Sequence, residues 1–125
     1  MRWRVVGFCV VIGGAALLNP SLGLANDLDD AISHARTAIE QGAKGSADAL
    51  VAHAKAALKS AKRAYASRVG SFSSQEADAK AQANEPLKDS LTNLKAAVSE
   101  GKKKHAEAAT QQAEEALRHL EAAPH

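Results

Sequence analysis

Apolar residues recur along most of this chain at steps of three and four, the spacing that lines one face of a helix. Leu28, Ile32, Ala35 and Ile39 form the first stripe. Leu50 (or Val51), Ala54, Leu58, Ala61 and Tyr65 form a second, and Leu87, Leu91, Leu94 and Val98 a third. Ala106, Ala109, Ala113, Leu117 and Leu120 form the fourth. No segment is apolar all round, so each needs a neighbour to cover its stripe. The pattern predicts an all-α protein: a four-helix up-down bundle with alanine-rich, closely packed seams.

Turn residues fall between the stripes. Gly42 and Gly45 separate the first two, with Ser46 placed to cap the next helix. Gly70 with Ser71, Ser73 and Ser74 closes the second, and Ser73 with Glu76 has the spacing of a capping box. Gly101 ends or bends the third apolar segment. Pro86 admits two arrangements: a helix starting near Glu85 with proline in its first turn, or one running from about Gln75 and kinking there. Ala77, Ala81 and Asn84 continue the stripe backwards and favour the long helix.

A shift of 59 positions superimposes the two halves of this pattern. Asp30 then meets Asp89, Ala38 meets Ala97, Gly42 meets Gly101, Lys44 meets Lys103, and Leu58 meets Leu117. Ile32 and Leu91, and Ile39 and Val98, keep apolar character. Coincident glycines and leucines exceed what alanine richness alone produces, so the bundle reads as two similar α-hairpins.

The first residues follow another pattern. Arg2 and Arg4 precede an apolar run from Val5 to Leu18, and small residues stand at Gly23 and Ala25. That order predicts a signal peptide over 1–25, with cleavage after Ala25, and a helical domain over 26–125. The run is shorter than the roughly 20 residues of a membrane-spanning helix. Export implies a periplasmic or secreted product, without stable membrane insertion after cleavage. Removing Arg2 and Arg4 takes the 16 basic residues to 14, against 14 acidic ones, so the net charge of +2 falls to zero. A neutral surface gives no basis for nucleic-acid binding, which needs clustered Lys or Arg. Cys9 lies in the leader, so the domain has no thiol chemistry.

Histidine supplies the remaining chemistry. His34 and His53 immediately precede the stripe residues Ala35 and Ala54, at the edge of the seam. With the turn centred between residues 43 and 44, the two lie level on antiparallel helices. Asp30, one turn before His34, shares its face. Two imidazoles and a carboxylate are a donor set for Cu²⁺, Ni²⁺ or Zn²⁺. His119, with Glu115 four residues earlier, and the terminal His125 suggest a second, weaker region. His105 follows Lys102, Lys103 and Lys104, whose charge opposes a cation. The 59-residue shift places Asn93 opposite His34, Gln112 opposite His53, His105 opposite Ser46 and His119 opposite Ser60.

Catalysis finds no support in the sequence. It contains no glycine-rich phosphate loop, no His-Glu-x-x-His motif, and no pair of Glu-x-x-His motifs of a di-iron bundle. No axial pair with an aromatic pocket suggests haem.

The segments Ala31-Ile32-Ser33-His34-Ala35, Leu50-Val51-Ala52-His53-Ala54-Lys55 and Ala113-Glu114-Glu115-Ala116-Leu117-Arg118-His119-Leu120 resemble the histidine-alanine helical motifs of the bacterial small metal-binding protein family. That resemblance implies an exported four-helix protein that buffers or sequesters copper and other divalent metals. The family pattern carries histidines more densely, often seven apart; here Gln41 and Ser60 stand seven after His34 and His53. The expected function is therefore divalent metal binding, copper first and nickel or zinc next. The competing expectation is a structural or interaction bundle, self-associating weakly or packing on an envelope protein.

Overall fold

The computed structural model describes residues 24–69 and 77–124. They form four helices, α1 (Leu24–Ala43), α2 (Ala47–Val69), α3 (Ala77–Lys102) and α4 (Ala106–Ala122). The expected all-α bundle of two hairpins is the observed one: α1 pairs with α2, and α3 with α4. The hairpins then join through α1 on α4 and α2 on α3. α2 and α4 also touch across the diagonal, and α1 and α3 do not. The expected signal peptide lies outside the described residues up to residue 23, as do Gly70 and the capping-box pair Ser73 and Glu76. Because α1 begins at Leu24, a cut after Ala25 would fall in its first turn.

The seam is alanine-rich as expected, but several of the larger stripe residues stand at its edge. On α1 the fully buried positions are Leu28, Ala31, Ala35 and Ala38, while Ile32 and Ile39 are half-buried at the edge. On α2, Ala57 and Ala64 are buried, and Leu58 and Tyr65 move to the edge. Leu91 and Leu117 do the same on α3 and α4. Alanine at the centre lets backbones approach closely, and the longer branched side chains then cover the flanks of the contact. Residues Leu28, Ala35, Ala61, Leu94 and Leu120 belong to the core half toward the chain ends. Leu50, Val51, Ala54, Ala97 and Ala109 belong to the half beneath the two hairpin turns.

Helix α3 takes the long form, running from Ala77 through Pro86. A proline there removes one amide donor, leaving the carbonyl four residues earlier without its helical partner. That residue, Gln82, is exposed, so water can satisfy it. The backward stripe is only partly used: Asn84 is buried, but Ala81 to Ala83 are exposed all round.

Repeat and backbone coincide. In the first turn Gly45 N–H donates to Gly42 O at 2.9 Å and Ser46 N–H to Gln41 O at 2.9 Å. In the second, Lys104 N–H donates to Gly101 O at 3.0 Å and His105 N–H to Glu100 O at 3.0 Å. Every one of these residues is 59 positions from its counterpart. Gly45 has φ +76°, and its counterpart Lys104 has φ 64°. Gly42 and Gly101 serve another purpose, since both lie inside their helices at close approaches. A Cβ on Gly42 would strike Thr110 and come within 2.6 Å of Leu50 Cδ1; one on Gly101 would strike Val51. Thr110 is the counterpart of Val51, so the shift exchanges the two contacts. A two-fold relation between hairpins requires that exchange.

Candidate metal centre

His34 on α1 and His53 on α2 face each other across the first hairpin. Their ring centroids are 6.0 Å apart, with 28° between the ring planes. The turn fixes the pairing height, and the next residue on each helix, Ala35 or Ala54, is fully buried. Each histidine is thereby held half-buried at the rim of the seam, next to solvent. A metal–nitrogen bond of about 2 Å puts a ring centre about 3 Å from the ion. Centres 6.0 Å apart match that span in distance, but the rings are stacked, so they must turn for a nitrogen of each to point at one shared ion.

The further donors are arranged differently. Asp30 is exposed on α1. Among the described residues, no group of three or more His, Cys, Asp or Glu is placed to hold a metal ion. Asp30 thus does not combine with the two rings into a three-donor group. His119 is half-buried on α4, and the carboxylate of Glu115 accepts from Arg118 Nη1 at 2.9 Å. His125 lies outside the described residues. What the pair offers is two imidazoles at one half-buried rim.

His105 has a structural occupation. It stands at the N-cap of α4, and its side chain makes no capping bond there. Its Nδ1 instead lies 2.9 Å from Glu100 Oε2, while Lys103 Nζ donates to Glu100 Oε1 at 3.0 Å. The hydrogen bond from His105, then that from Lys103, holds the Glu100 carboxyl below its ordinary value. Sequence reasoning set His105 beside a repelling lysine run and missed this carboxylate. The signal was present: Glu100 precedes Lys103 by three and His105 by five, across a turn.

Two counterpart positions sharpen the picture. Asn93 and Gln112, the 59-residue counterparts of His34 and His53, are half-buried to the same class on α3 and α4. The second hairpin therefore has the same rim, furnished with amides. Among the described residues no helix is long and apolar enough to cross a membrane.

No curated protein matches the chain. The model of one family, described as small metal-binding protein, matches residues 6–123. That match covers nearly all of the sequence, both hairpins and the histidine pair included, and this chain belongs to the small metal-binding protein family, a non-catalytic class.

Proposed function

We propose that this protein binds a divalent metal ion weakly and exchangeably through the paired imidazoles of His34 and His53, as a buffer without turnover. The observation that carries the proposal is the 6.0 Å approach of the two rings at a solvent-facing rim, in a chain whose family is named for metal binding. Neutral imidazole suits copper, nickel and zinc, and copper leads the first-row affinity order. Two protein donors leave positions for water, which favours exchange over storage. Asp30, exposed one turn before His34, is proposed to swing in as a third ligand when the ion binds, and His119 with Glu115 and His125 to form a second region. The proposed place of action is the cell envelope, as the leader-like start suggests.

A second function has its own support, and side-chain geometry alone favours it. No three-donor group occurs among the described residues, and no buried side-chain polar atom among them lacks a hydrogen-bond partner. The bundle thus has no internal need of an ion, as expected of a structural or protein-interaction module. Sedimentation of the protein with and without Cu²⁺, beside imidazole resonances in NMR, separates the two. Loss of the His34 and His53 signals at one equivalent of ion, in a constant monomer, supports metal binding. Unchanged resonances with a concentration-dependent dimer support the interaction module.

A further inference from the structure

Equivalent core positions of the two hairpins do not carry residues of equal size. Ala35 corresponds to Leu94, Leu50 to Ala109, and Ala61 to Leu120, and all six are fully buried. Each pair lies within one half of the core. Ala35, Leu94, Ala61 and Leu120 share the half toward the chain ends, and Leu50 and Ala109 share the half under the turns. Ala61 and Leu120 sit on α2 and α4, the two helices that touch across the diagonal. Five other equivalent core positions carry the same residue, Leu28 with Leu87, Ala38 with Ala97, Ala54 with Ala113, Ala57 with Ala116, and Ala64 with Ala123, while Ala31 and Ser90 differ only by a hydroxyl.

We infer that the buried face of each hairpin is shaped for the other hairpin of the same chain and against a copy of itself. The two-fold exchange of the Gly42–Thr110 and Gly101–Val51 contacts shows that one backbone geometry serves both halves. If a copy of the first hairpin replaced the second, Leu94 and Leu120 would become alanines and Ala109 a leucine. The half toward the chain ends would lose two isopropyl groups, and the half under the turns would gain one. A copy of the second hairpin in place of the first would reverse both errors. Cavities and overpacking both destabilise a close-packed interior, so like hairpins pair badly in either combination. The unequal distribution of large and small residues at three equivalent buried positions selects the partner by volume, without any buried charge.

The full chain tests this directly. The triple variant A35L/L50A/A61L gives the first hairpin the size pattern of the second, so that like faces like. The sixfold variant adds L94A/A109L/L120A and restores complementarity with the roles exchanged. Urea unfolding followed by circular dichroism should show a lower midpoint for the triple variant, or no folded state, and recovery of most of that loss in the sixfold one. A double-mutant cycle on the touching helices, A61L, L120A and A61L/L120A, keeps the proposal exposed. The double variant should unfold at a higher midpoint than the two single effects summed. Additive effects in the cycle, a triple variant as stable as the parent, or a sixfold variant no better than the triple would each overturn it.

Discussion

Lys104 holds the left-handed backbone conformation that Gly45 holds 59 positions earlier, φ 64° against φ +76°. Both turns need one residue there so that the chain can reverse and the amide can reach back to Gly42 or Gly101. Glycine enters that region without a Cβ clash, whereas a side chain costs about 1–2 kcal/mol. Lys104 also pairs with Asp48, but both side chains are well exposed and such pairs contribute about 0–1 kcal/mol. Lys104→Gly is expected to stabilise the fold by about 0.5–1 kcal/mol after the greater freedom of glycine in the unfolded chain is counted. Gly45→Ala should destabilise it by about 1–2 kcal/mol. Urea unfolding of both variants checks the pair, and a destabilised Lys104→Gly protein would contradict the account of the turn.

Gly101 and Gly42 are expected to resist substitution for the opposite reason, contact and not conformation. Alanine would raise intrinsic helix propensity by about 1 kcal/mol. It would also drive a Cβ into Val51, which is stiff about its first torsion, or into Thr110 and Leu50. Overpacking of this kind costs about 1–3 kcal/mol, so Gly101→Ala should lower stability on balance. Removing the obstacle in G101A/V51A should recover part of the loss relative to the sum of the single changes. Strict additivity in thermal or urea unfolding would show that this close approach does not matter.

Acid should weaken the second hairpin turn through Glu100. His105 first, and Lys103 next, hold its carboxyl below the ordinary value in the folded protein. A depressed carboxyl stabilises the fold at pH above its unfolded value, and that contribution disappears as pH falls through the folded one. Glu100→Gln should therefore reduce the slope of stability against pH in the acid range, with little slope change near neutrality. His105→Ala should move the Glu100 carboxyl titration, followed by ¹³C NMR, upward toward 4.5. The first hairpin is a built-in control, because Gln41 occupies the position equivalent to Glu100.

The amide pair of the second hairpin supplies a test of the repeat as a chemical scaffold. Asn93 and Gln112 stand where His34 and His53 stand, with the same intermediate burial. N93H/Q112H should create a second imidazole pair and raise Cu²⁺ or Ni²⁺ stoichiometry by one ion per chain, with helicity unchanged. Unaltered stoichiometry in a folded double variant would mean that the rims are not equivalent.

Much of this fold was legible because periodicity and turn residues report backbone geometry directly. Four stripes gave four helices, and the coincidence of Gly42 with Gly101 under the shift anticipated equivalent hairpins. Less legible was the seam's centre. Ile32, Leu58, Leu91 and Leu117 are conspicuous apolar residues, yet they stand at the edge, while alanines share the middle with Leu28, Leu50, Leu87, Leu94 and Leu120. Pro86 marks a helix interior, and local chemistry alone could not exclude a start there. For the site, arithmetic about the turn brought His34 opposite His53, since hairpin register is a local property. The surrounding donors depend on side-chain direction and competing partners, such as Arg118 for Glu115, which spacing does not encode.

Calorimetric titration of the protein with Cu²⁺, beside His34→Ala, His53→Ala and Asp30→Ala variants of verified helicity, decides whether the paired imidazoles hold an ion. One binding event is expected, which either histidine substitution abolishes and Asp30→Ala weakens. Acid should weaken it too, because protonated imidazole has no lone pair for the metal. If both histidine variants keep the stoichiometry and affinity of the parent, or the parent binds no ion, the paired-imidazole site is contradicted.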